Sequence, residues 1–366
     1  MPQLNHSHHH GYIMKNFAIQ VCPVVAVCLL ALPAMAQSCL GDLNADRTVT
    51  GADLGILLGQ WGQAGSGDLN GDGIVGGADL GLLLGVWGAC PVTVPSWATL
   101  VEATPDPAVV TNATLRAAIS ASGLAWRVRD TATQMEMLLV PAGTFTMGCT
   151  ASNLVVCSGN ENPTHSVTLT QAFYIGRYEV TQSQWVAKMG SNPSRFQGAR
   201  YPDAANRPVE QVSWNTIQGY LSATGMRLPG EAEWEYAYRA GTTTAFHSMP
   251  GYPNGTNDDN QVGTIAWYGS NSGNDQTHTV GGKAANALGL HDMAGTVWEW
   301  VNDWWGSTYY SVSPLTNPLG PESGTYRVHR GGYWGNIAGG LRSSYRYFHA
   351  PDFAYDSLGF RVARNP

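Results

Sequence analysis

The chain has 366 residues, 43% hydrophobic, 12% charged and 10% aromatic, and 19 Lys+Arg against 26 Asp+Glu leave a net charge of -7. Soluble domains carry about 25% charged residues, so this surface is unusually neutral, and the lack of any basic run argues against a nucleic-acid partner. Its 44 Gly and 13 Trp suit many turns with aromatic plugs rather than long helices, and the length admits two domains.

Lys15 precedes an apolar stretch over 17–32, and Ala34-Met35-Ala36 offers a small-x-small cleavage site before Gln37. Residues 1–36 therefore read as an export signal behind a polar extension, with Met14 as the start. A secreted chain, extracellular or periplasmic, is expected, with no membrane span after cleavage. Cys22 and Cys28 would leave with the signal, while Cys39, Cys90, Cys149 and Cys157 remain. An even set in an exported protein reads as disulfides, and the local pairs Cys39–Cys90 and Cys149–Cys157 are the cheapest of the possible connectivities. A lipid-modified Cys39 is the alternative, although Ala36-Gln37-Ser38 is a poor lipobox.

Two segments then repeat, GDLNADRTVTGADLGILLGQWG from Gly41 and GDLNGDGIVGGADLGLLLGVWG from Gly67. Each opens with Asp-x-Asn-x-Asp: Asp42, Asn44, Asp46 and Asp68, Asn70, Asp72. Those side chains match loop positions one, three and five of an EF-hand. Thr48 or Ile74 would add a backbone carbonyl, and Asp53 or Asp79 the last carboxylate, at the head of a short Leu-rich helix. Hard oxygens in two in-register copies point to calcium. The repeats resemble the dockerin family of calcium-binding modules, over residues 39–90. The resemblance implies two calcium loops and, in some members, a cohesin-like partner. Arg47 stands where the loop needs Gly for its turn. Gly51-Ala52 and Gly77-Ala78 offer no polar reach where docking contacts would fall. A self-contained EF-hand-like module closed by Cys39–Cys90 is the preferred reading.

Residues 91–110, rich in Pro, Val and Thr, read as a linker to a second domain over 111–366. Thr111-Asn112 predicts a capped helix to about Ser122, and Trp126-Arg127-Val128 and 137–140 predict strands. Beyond them come short strands and frequent Gly without a βαβ rhythm, and no GxGxxG, P-loop, GxSxG or HExxH occurs. The segment RLPGEAEWEYA (227–237) predicts a helix with Glu231 and Glu235 on one face and Glu233 on another. Capping and ion pairs with Arg227 or Arg239 suit them better than paired-carboxylate catalysis. His291 reads as a structural polar contact, and His165, His247, His278, His329 and His349 lack metal-ligand spacing.

Seven segments in order carry a more specific signal: PAGTFTMG (141–148), YEVTQSQW (178–185), RPVEQVSW (207–214), RLPGEAEWEYAYRAG (227–241), NALGLHDMAGTVWEW (286–300), RGGYW (330–334) and GFRVAR (359–364). Together they resemble the formylglycine-generating enzyme (sulfatase-modifying factor) family. The resemblance implies an α+β, compact, irregular C-type-lectin-like fold with little regular secondary structure. It also implies structural calcium on Asp292 and Glu299 by side chain and Gly295 and Val297 by carbonyl; here Asp292 and Thr296 stand where the family has Asn. Active members convert a cysteine in CxPxR to formylglycine, using oxygen and copper held by two thiolates in GGSxxCxxxxC. This chain has Tyr333 for the Ser, Asn336 for the first Cys and Leu341 for the second. An amide and an alkyl group do not hold Cu(I), so neither copper nor a catalytic residue is expected. The related iron-dependent sulfur-inserting enzymes take their histidines from an added helical domain, which the repeats do not supply. The function expected is therefore a secreted calcium-binding protein with a non-catalytic binding or structural domain. Its groove would be lined by Tyr333, Trp334, Asn336, Arg342 and Tyr345 and would take a peptide or a glycan, unless those aromatics are ordinary core. The alternatives are a formylglycine-generating oxidase and a dockerin-bearing component of an extracellular complex.

Overall fold

A computed structural model describes residues 39–44, 46–150, 157–273 and 275–366. The expected export signal lies outside them. Among the described residues no helix is long and apolar enough to cross a membrane.

Each repeat is a loop followed by a nine-residue helix, α1 (Gly51–Gly59) and α2 (Gly77–Gly85). Three glycines per helix oppose helix formation, and the third helical residue offsets this. Asp53 Oδ2 accepts the Thr50 N–H at 2.8 Å, and Asp79 Oδ2 accepts the Gly76 N–H at 2.7 Å. Leu57 and Leu83 then bury against Val49, Val75 and Cys90. Thr48–Val49 pairs antiparallel with Gly88–Ala89, and Cys39 is bonded to Cys90. Five buried residues make a core that a disulfide would be needed to reinforce.

The rest of the chain builds two principal sheets. One has five antiparallel strands in the spatial order Ala363–Arg364, Phe173–Gly176, Glu136–Val140, Arg127–Asp130 and Ala98–Glu102. The apolar run at its centre, Met137 to Val140, is essentially inaccessible to solvent. The other sheet has the order Arg346–His349, Arg327–Arg330, Trp298–Trp304 and Leu358–Gly359, with only the last pairing parallel. Among the described residues four helices pack around these: α3 (Ala113–Ala121), α4 (Gln182–Met189), α5 (Trp214–Thr224) and α6 (Glu231–Arg239). The cap expected for α3 is present, with Asn112 Oδ1 accepting the Leu115 N–H at 3.1 Å.

Residues 91–110 are not the linker expected from composition. They carry the edge strand Ala98–Glu102, paired to Arg127–Asp130. Trp97 beside it meets Tyr174 edge to face at 5.4 Å and donates to the Asn365 carbonyl. The strand shows no apolar alternation because as an edge it buries little, and its pairing partner lies 30 residues on.

Buried ion pairs do much of what regular structure does elsewhere. Every residue of α6 except Glu233 is buried. Glu231 receives Arg346 at 2.8 and 2.5 Å. Glu235 receives Arg239 at 2.9 and 2.8 Å and also Arg330. Glu233, on the other face, pairs with Arg227 at 2.6 and 2.7 Å and caps the helix through Gly230 N–H. These are the capping and pairing roles expected of the three glutamates.

Candidate functional site

The segment Arg327–Arg330 ends in two glycines with left-handed backbones, Gly331 (φ 92°) and Gly332 (φ 79°). At Gly332 a Cβ would stand 2.3 Å from Leu341 Cδ2 and 3.2 Å from Asn336 Oδ1. The two positions where the resemblance would put thiolates thus meet around one glycine. Asn336 braces the turn: its Oδ1 accepts the Tyr333 N–H at 3.0 Å and its carbonyl accepts the Gly269 N–H at 2.9 Å. Leu341 is fully buried in the main core. Cys149 and Cys157 are bonded to each other. A carboxamide and an isobutyl group do not make a Cu(I) donor set.

Tyr333, Trp334 and Tyr345 are half-buried beside this turn. They belong to a larger aromatic surface that the sequence reading missed. Trp298 lies near-parallel to Tyr333, Tyr345 and Tyr347 at 6.4, 6.0 and 6.2 Å. His349 stacks on Phe353 at 3.9 Å, and Tyr355 follows. Tyr347 and Tyr355 are 44% and 56% exposed, which separates this surface from a closed core. The period-two spacing of Tyr345, Tyr347 and His349 was the available signal. Arg342 does not line the groove: its guanidinium is buried on Glu161 at 2.5 and 2.8 Å. Ser344 completes that carboxylate at 2.6 Å, so the arginine holds a loop in place.

The expected metal positions are divided. Glu299 is committed to Arg361 at 2.6 and 2.7 Å and to Trp234 Nε1 at 2.7 Å. Asp292 Oδ2 accepts the Gly281 N–H at 2.5 Å, but its Oδ1 is buried with no partner among the described residues. Both oxygens of buried Glu179 are likewise without partners, as is Thr296 Oγ1. Burial pushes the Asp292 carboxyl up to about 6, and burial with Asp292 alongside pushes Glu179 well above its usual range. Asp292, Gly295 and Thr296 have left-handed backbones at φ 56°, 78° and 60°, which gives the turn holding Gly295 and Val297 its shape. The orphaned oxygens of Glu179 and Asp292 suit a cation, whereas Glu299 as placed does not. Glu179, in YEVTQSQW, gave no sequence signal because its neighbour is 113 positions away.

The repeat loops are near copies in hydrogen bonding. Asp46 N–H donates to Asp42 and Asn44 at 3.0 Å each, and Asp72 N–H to Asp68 and Asn70 at 3.1 and 2.9 Å. Thr48 and Ile74 donate N–H to Asp46 and Asp72 at 2.9 and 3.0 Å. Asp53 and Asp79 direct both carboxylate oxygens to backbone N–H groups. The Gly76 N–H, opposed by burial and aided by those of Asn70 and Leu69, holds the Asp79 carboxyl below the usual range. Arg47 takes the left-handed turn at φ 68° that Gly73 takes at φ 96° in the second copy. Among the described residues no three His, Cys, Asp or Glu side chains are grouped to hold a metal ion.

Glu210 is fully buried. Its Oε1 accepts the Phe196 N–H at 3.0 Å and its Oε2 has no partner among the described residues. Burial, reinforced by Asp356, pushes this carboxyl up to about 7. The folded state therefore favours the protonated acid more than the unfolded chain does, and stability falls as pH rises from about 4.5 through 7. Glu210→Gln is expected to raise stability at pH 8 by roughly 2–3 kcal/mol and to add nothing at acidic pH. Urea unfolding at both pH values checks this, and an equal gain at both would remove the explanation.

A model of the sulfatase-modifying factor enzyme 1-like domain matches residues 110–366. The formylglycine-generating enzyme of Thermomonospora curvata is 31% identical over 290 residues, covering 63% of this chain and 93% of that protein. Serine/threonine-protein kinase pkn1 of Chlamydia caviae is 32% identical over 251 residues, covering 63% of this chain. The match spans 38% of that kinase's length. Treponema denticola variable protein 1 is similar in structure at a TM-score of 0.55 and 31% identity, over 63% of this chain and 95% of its own. The motif order, the fold and the matched residues agree: over 110–366 this chain belongs to the sulfatase-modifying factor enzyme 1-like domain family.

Proposed function

We propose that the protein is a secreted, calcium-stabilised binding module in which the family domain has lost its oxidase centre and uses the aromatic surface around Trp298 to hold a peptide or glycan. One observation carries this reading: Asn336 and Leu341 meet around Gly332, so the place for two thiolates is filled by a turn-bracing amide and a buried alkyl group. Exposed aromatic rings supply stacking area without demanding a charged ligand. Calcium would sit in the repeat loops on Asp42, Asn44, Asp46 and Asp68, Asn70, Asp72, and at Glu179 and Asp292 in the larger domain. The nature of these donors, hard oxygens only, supports calcium over softer metals.

Incubation with a CxPxR peptide, oxygen and Cu(I), followed by mass spectrometry of the peptide cysteine, tests the loss of oxidase chemistry. No aldehyde beside an active control is the expected result. Copper-dependent conversion would make the chain an oxidase and end this reading.

A further inference from the structure

A cleft of about 650 Å³ opens between the chain entering α3, the turn 248–253 and the segment 284–287. It shares no lining residue with the aromatic groove. Its volume falls in the ~300–1,000 Å³ class of small-molecule sites, and its walls are largely apolar, with Val109, Met249, Pro250 and four alanines. Two polar side chains with unused capacity stand in that lining.

The first is Arg177. Its Nη1 donates to Glu136 Oε2 at 2.9 Å and its Nε is buried out of a ligand's reach, but the side chain is 22% exposed, so the outer edge of the guanidinium is what a ligand meets. Glu136 is shared: Arg129 takes it at 3.0 Å and Arg127 stands 3.8 Å away. Glu102 adds one more carboxylate, on Arg127 at 2.5 Å. Three guanidiniums thus face two carboxylates, and of these groups Arg177 lines the cleft. Among the described residues no Asp or Glu lines it. The second is His291, whose Nδ1 lies 2.9 Å from the Lys283 carbonyl. That contact fixes the proton on Nδ1 and leaves Nε2 an acceptor.

We propose that this cleft binds a small organic acid, its carboxylate on Arg177 and its apolar body against Met249, Pro250 and the alanine wall. A partly satisfied guanidinium at the rim of an apolar cavity gains most from a planar anion that brings two acceptors. The site is independent of the groove and of the function proposed above.

The test is a titration of the full chain with 3-phenylpropionate, followed by the NMR shift of the His291 ring proton, with 3-phenylpropanamide as the uncharged comparison. A saturable shift is expected with the acid, and binding weaker by roughly tenfold or more with the amide and in Arg177→Gln. Ala285→Phe, which fills the cleft, should abolish the shift. No saturation by the acid, equal binding of acid and amide, or a shift that survives Ala285→Phe would each overturn the proposal. The amide comparison uses the unmodified protein, so it holds even if Arg177→Gln fails to fold.

Discussion

Glu235→Ala is expected to cost the domain about 3–5 kcal/mol, a fall in Tm on the order of 10 °C. Glu235 is fully buried and accepts from Arg239, from Arg330 and from the Gly148 N–H at 2.9 Å. Its removal leaves two guanidiniums, 2% and 0% exposed, with no carboxylate between them, and that desolvation penalty dominates the loss. The contrast is Glu233, whose partner Arg227 has a side chain 36% exposed. Breaking that pair should cost at most about 1 kcal/mol, because water replaces the missing partner. Urea and thermal unfolding of both variants provide the measurement. Similar losses for the two would mean that burial does not set the cost.

The second large effect is a gain. The double variant Asn336→Cys, Leu341→Cys is expected to take up one Cu(I) per chain, whereas the unchanged protein takes up none there. Both side chains contact the space above Gly332, so two sulfurs at these positions would face one centre. Soft thiolates supply what the carboxamide and isobutyl groups lack. The change is not free of cost. Leu341 is fully buried, and shortening it should destabilise the domain by roughly 2–4 kcal/mol. Anaerobic Cu(I) titration against a competing chelator reads the outcome. Absence of copper uptake by a folded double variant would show that the two positions do not converge as described. The single variants should remain without tight copper, since one thiolate is half a donor set.

Much of this protein is legible before folding. The α3 cap is local chemistry between Asn112 and Leu115, three positions apart. The roles of Glu231, Glu233 and Glu235 follow from helical spacing, which sends two to the core and one outward. The seven ordered motifs identified the family, because each reports a short stretch of backbone with its own turn residues. The edge strand Ala98–Glu102 was hidden, since its stabilising contacts lie in Arg127–Asp130 and not in its own pattern. Arg342 looked available for a ligand, and the carboxylate that claims it is 181 positions away.

Legible in the sequence is therefore what neighbours in the chain decide: the caps, the duplicated Asp-x-Asn-x-Asp loops, and the presence of Asn336 and Leu341 where the resemblance implies two cysteines. Tertiary structure alone decided which charges are buried together and which rings stay exposed. Glu179 meets Asp292, Glu299 meets Arg361, and Tyr347 meets Trp298, only after the sheets close. The physical reason is distance along the chain. Local geometry is set by bonds and side chains a few residues apart, whereas burial and charge pairing depend on segments that only the completed fold brings together.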